Sequence, residues 1–142
     1  MTHLTRRSRP FAAALVLAAC LTIIPATLAS AHGDSAIPHK ICNFDWQRSR
    51  FQVKKLIRCA ARHWDVPGGA HKALAIAYRE SRYNPSAYNS SGAEGIYQHM
   101  RQYWPGRART FGFPRYSAFN GRANIIVTMR MVKRGGWGPW GG

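Results

Sequence analysis

Two stretches of helical hydrophobic period, parted by one sharp break, constrain the fold of this chain more than any other feature. From Phe51 to Trp64, the residues Val53, Leu56, Ile57, Ala60 and Trp64 recur at the three- and four-residue intervals of an α-helix, with Lys54, Lys55, Arg58 and Arg62 on the other side. Asp65-Val66-Pro67-Gly68-Gly69 stops that period. A second run, Ala70 to about Arg82, carries Ala73, Leu74, Ile76 and Ala77 and is nearly apolar on all sides until Tyr78. A helix of that kind is buried. Asn84-Pro85 ends it, because proline pushes the preceding residue out of the α region.

Beyond it, residues 84–95 read as a polar loop, and a short helix is expected from Gly95 or Ile96 to Trp104-Pro105. Residues 105–119 read as irregular and aromatic. A last helix is expected from Arg122 to Lys133, with Ile125, Ile126, Met129 and Val132 inward. The glycine- and tryptophan-rich ending, residues 135–142, cannot be regular structure, and no strand pattern of useful length is present. The fold class is mainly α.

Arg6, Arg7 and Arg9 precede an apolar run from Phe11 to Ala29, and Ala29-Ser30-Ala31 suits cleavage after Ala31. Residues 1–31 therefore read as an export signal, 32–50 as an N-terminal arm and 51–142 as one small domain, expected to be a monomer. Leu17-Ala18-Ala19-Cys20 also fits a lipid-attachment box, and the apolar run is long enough to stay as an anchor, although Thr22, Pro25 and Thr27 weaken it. Against 21 Lys and Arg the chain has five acids, a formal charge of +16. For an exported protein that charge points to an anionic cell-wall surface as partner, with no nucleic acid.

With Cys20 removed or acylated, Cys42 and Cys59 remain as a pair, and outside the cytosol they read as a disulfide. It would close a loop of about 18 residues and stabilise the domain by roughly 3 kcal/mol. Both sulfurs cannot lie on one straight helix, because 17 residues of helix span about 25 Å. The chain must double back between Asn43 and Arg50. The histidines show no metal-ligand spacing, so neither a metal nor another cofactor is expected.

The five acids are Asp34, Asp45, Asp65, Glu80 and Glu94. Glu80 stands at the end of the apolar helix, where core meets solvent, and burial there would favour the protonated form that a general acid needs. Arg79 and Arg82 would oppose this if they approached, and the expectation is that they point elsewhere. Asp65 falls in a turn, and Glu94 reads as a surface-loop glutamate. Tyr97, Tyr103, Trp104, Trp137 and Trp140 are candidate stacking platforms for a ligand's apolar face, and for most of them core packing is the simpler reading.

The run Glu80-Ser81-Arg82-Tyr83-Asn84-Pro85-Ser86-Ala87, followed by Ser91-Gly92-Ala93-Glu94-Gly95-Ile96-Tyr97-Gln98, closely resembles the signature of the lysozyme-like lytic transglycosylases that cut peptidoglycan. The resemblance spans about residues 70–134. It implies a small lysozyme-like helical domain with a glycan groove, Glu80 as the single catalytic acid/base, and Ser81 orienting it. It further implies Gln98 and Tyr97 at the substrate, and Asn124-Ile125 as a pair opening the core helix. Tyr97 stands where the family has methionine, and His99 where an apolar residue is commoner. A residue contacting Glu80 from the C-terminal part of the chain is not identifiable. The product implied is a 1,6-anhydro sugar, with a water-using muramidase or a non-catalytic cationic wall-binding protein as the alternatives.

Overall fold

The structure is a computed structural model and describes residues 41–142; the expected export signal, Cys20 and the expected arm up to residue 40 lie outside the described residues. Its elements are α1 (Arg50–His63), α2 (Gly69–Ser81), a two-strand ribbon β1 (Ala93–Glu94) and β2 (His99–Met100), α3 (Trp104–Thr110), α4 (Gly121–Gly135) and a single 3-10 turn, Gly138–Trp140.

Helix α1 starts on the Ser49 hydroxyl, which accepts from the Gln52 amide, and buries Val53, Leu56, Ile57, Ala60 and Ala61. It packs against α2 and α4. Fully burying a side chain such as Leu56 or Ile57 contributes roughly 1.5–3 kcal/mol. Helix α4 is the central element: from Ala123 to Met129 every residue is buried. Its N-cap is Asn120, whose side chain accepts from the Ala123 amide.

The Cys42–Cys59 disulfide is present, with Cα atoms 5.6 Å apart, and the chain reverses between Asn43 and Ser49, just ahead of α1. From residue 41 onward the expected arm is packed. Cys42 is buried, Arg122 Nη2 donates to the Ile41 carbonyl, and the Trp46 ring covers Gly121 so closely that a Cβ there would lie 2.7 Å away.

Helix α2 ends at Ser81, within one residue of the expected end, but what stops it is the left-handed φ of Arg82 and Tyr83 (53° and 64°), ahead of the Asn84-Pro85 step. One element differs from expectation. The expected helix from 95 to 104 is absent. Residues 95–98 form a turn between β1 and β2, and α3 begins where that helix was to stop. Pro105 lies in the first turn of α3, where its missing amide has no intrahelical partner to lose. It is a start signal.

Candidate active site

The end of α2, the 95–98 turn, the start of α3 and the C-terminal 3-10 turn converge on a groove of about 420 Å³. Arg79, Glu80, Gln98, Met100, Tyr103, Arg107, Pro139 and Trp140 line it.

Backbone geometry decides which side chains of the 95–98 turn reach that groove. Gly95 has φ 76°, and a Cβ on it would sit 2.2 Å from the Ala118 carbonyl oxygen and 2.4 Å from Asn124 Nδ2. Only glycine fits. Asn124, buried on α4, ties the turn down: its Oδ1 accepts from the Tyr97 amide at 2.9 Å and its Nδ2 donates to the Ala118 carbonyl at 2.8 Å. Gln98 again has positive φ (49°). The side chains of Ile96 and Tyr97 therefore enter the core, while Gln98 turns out to the groove. Its Nε2 donates to the Gly95 carbonyl at 2.8 Å, and Asn89 Nδ2 donates to its Oε1 at 3.3 Å.

Tyr97 thus corrects an expectation. Its side chain is 0 % exposed, its hydroxyl donates to the Ala73 carbonyl at 2.9 Å, and its ring packs in a cluster with Trp137 and Trp140, 6.2 Å from each. Burial also raises the phenol well above its ordinary range. It cannot meet a sugar. The clue was available in the sequence, since the signature it resembles has an apolar methionine where this chain has Tyr97. The exposed aromatic of the groove is Tyr103, 54 % exposed, where the sequence leads one to expect core packing.

Glu80 is 24 % exposed at its side chain and accepts two bonds from Arg79, from Nε at 3.1 Å and Nη2 at 2.9 Å. Adjacent helix residues do not normally face each other. Here Arg79 is also drawn to the Trp140 carbonyl, to which Nη2 donates at 2.5 Å, and its fork folds back over Glu80. The expectation that Arg79 points away is therefore wrong. The C-terminal segment does reach Glu80, but through Arg79. Trp140 is fixed in turn by Nε1 donating to the Tyr97 carbonyl at 2.8 Å.

Ser81 is beside the groove and not among its lining residues. Its hydroxyl lies 2.8 Å from the Ile96 carbonyl and 3.3 Å from that of Ala77, both acceptors. It fastens the end of α2 to the glycine turn. Glu94 is not an exposed loop residue: its side chain is buried and accepts from Arg101 Nε at 2.6 Å. It does not line the groove.

Sequence reasoning marks His99 only as a departure from the family pattern and does not single out Arg107. Thr128 Oγ1 donates to the Asn124 carbonyl at 2.7 Å. Having one proton, it must accept from His99 Nε2 at 2.8 Å. His99 Nδ1 is then the bare nitrogen, and Arg107 Nη1 donates to it at 2.9 Å. Full burial, aided by the Arg107 charge, lowers the imidazole from its ordinary 6.5 to about 3, so it is neutral.

The family model for the transglycosylase SLT domain matches residues 56–134. The chain belongs to this family, so its mainly helical domain is lysozyme-like and its type of function is that of a lytic transglycosylase acting on peptidoglycan. No curated protein and no solved structure matches the chain. The matched range ends before Trp137, so Pro139 and Trp140 of the groove lie outside it.

Proposed function

We propose that this protein cuts the β-1,4 bond between N-acetylmuramic acid and N-acetylglucosamine, with Glu80 as acid and then as base, and leaves a 1,6-anhydro end. The observation that carries this reading is that Glu80 is the only carboxylate among the groove-lining residues. Hydrolytic glycosidases set two carboxyl groups about 5 Å or about 6.5–9.5 Å apart. The other glutamate of the chain is held in an ion pair with Arg101.

In the first step the Glu80 carboxyl protonates the glycosidic oxygen, and the C1–O4 bond breaks with its electron pair leaving on that oxygen. The Glu80 carboxylate then takes the proton of the muramic C6 hydroxyl, whose oxygen closes on C1. No water is consumed and Glu80 ends protonated, ready for the next cycle. Arg79 yields its bonds to Glu80 as the strand enters. Gln98, already oriented by Asn89 and the Gly95 carbonyl, hydrogen-bonds the sugar, and Tyr103 offers a ring face to it. Ser81 acts at one remove, by holding the α2 end.

Residues 1–31 are proposed to be an export signal and the mature protein to work as a monomer at the wall. A separate depression of about 400 Å³, lined by Phe44, Lys55, Arg58, Cys59 and Arg62, supports adhesion to wall anions. Mass spectrometry of the soluble products from purified peptidoglycan tests the reaction. Anhydromuramic ends are expected. Reducing muramic ends would replace the lyase by a muramidase, and wall clearing that survives Glu80→Gln would replace both by a non-catalytic wall-binding protein.

A further inference from the structure

The groove carries more positive charge than its chemistry needs. Of its two guanidinium groups, Arg79 is paired with Glu80. Arg107 has no carboxylate partner among the described residues: its hydrogen-bonding partner is the bare Nδ1 of neutral His99, and its charge lies 5.4 Å from the Tyr103 ring. It is half-buried, and burial works against its charge. A desolvated cation backed by a neutral acceptor leaves donors unused and a net positive charge facing the groove. His99 is itself held by Thr128 and packed against Trp104 and Trp140, so the guanidinium is aimed by a rigid support.

We infer that Arg107 is a specificity residue that binds a carboxylate of the substrate strand, His99 being the positioning residue behind it. This rests on the proposed peptidoglycan substrate and adds the group recognised. Two sources share the chemistry: the lactyl carboxylate of a muramic residue without a peptide, and a carboxylate of the peptide stem. A guanidinium fork suits either, because it can give two parallel N–H donors to one carboxylate.

The test measures binding and does not depend on turnover. Protein carrying Glu80→Gln, with and without Arg107→Met, is titrated with three soluble glycan preparations. These are peptide-free strands, the same strands with their carboxylates converted to methylamides, and peptide-bearing strands. Thermal melts of the two variants confirm that both are folded. A charge-assisted pair predicts that Arg107→Met weakens binding of carboxylate-bearing strands about 10–100-fold and leaves the methylamide strands within about twofold, with Arg107→Lys recovering part of the loss. Loss on peptide-free strands assigns the lactyl group, and loss confined to peptide-bearing strands assigns the stem; either upholds the inference. Equal loss on methylamide strands, no loss on any strand, or no binding of carboxylate-bearing strands by the Glu80→Gln protein overturns it. Failure of the lyase reading would appear separately, as wild-type protein that yields no anhydromuramic product.

Discussion

On one side of the groove, Glu80 and Gln98 stand on a helix end and a turn whose backbone is dictated within a few residues, by the left-handed Arg82 and Tyr83 and by Gly95. On the other side, Tyr103, Arg107 and Trp140 arrive from α3 and the chain end, and Trp140 meets Arg79 across 61 residues of sequence. The first side lies wholly within the matched family range, whereas the second is completed by residues beyond it. The groove therefore joins the proposed reacting group, set by local structure, to a proposed binding wall set by long-range packing. Changes on the first side should abolish chemistry or fold, and changes on the second should alter affinity.

The largest effect is expected at the reacting group. Glu80→Gln should lower the rate of anhydro-product release by at least about 10³-fold, because a positioned acid/base contributes of that order. Its melting curve should barely move, since the exposed ion pair to Arg79 is worth about 1 kcal/mol or less. A residual rate within tenfold of wild type would remove Glu80 from the chemistry.

Tyr97 and Tyr103 sharpen the contrast, being six positions apart with opposite fates. Tyr97→Ala should cost roughly 3–5 kcal/mol in denaturant unfolding, through the cavity left beside the two tryptophans and the loss of the hydroxyl's bond to the Ala73 carbonyl. Gly95→Ala follows at roughly 2–4 kcal/mol, from its positive φ and the clash with Ala118 and Asn124. An alanine tolerated there would show that the turn is not held as described.

Acid should act on the support behind Arg107. Folded His99 takes no proton until about pH 3, whereas the unfolded residue is protonated below about 6.5. Between those values the unfolded state binds more protons, so stability falls as pH drops, by roughly 3–5 kcal/mol over the window. Urea unfolding from pH 7 to pH 3.5 should show that decline, and His99→Gln should flatten it. Smallest of all, Tyr103→Ala should raise the substrate concentration for half-maximal rate several-fold, about 1 kcal/mol, and leave unfolding unchanged. A loss of stability in that variant would mean that Tyr103 is a packing residue after all.

Much of this molecule was determined by the sequence alone. The apolar period of α1 and α4, the cysteine pair and the place of Glu80 near the end of α2 are all local statements, although α2 buries Ala73, Ile76 and Ala77 on one side and is not buried all round as expected. They depend on side-chain spacing, and the structure has those elements where the spacing put them, whereas the turn at residues 95–98 stands where a helix was expected. Pro105 misled because proline stops a helix from within and opens one from its first turn, and only the neighbouring packing tells the two apart. Only the tertiary structure decided that Tyr97 faces inward, that Arg79 bends onto Glu80, that Glu94 pairs with Arg101 and that Arg107 enters the groove behind His99. Each of those outcomes depends on an atom from a distant part of the chain or on the direction of a side chain leaving irregular backbone. Neither quantity has a period that a sequence could display.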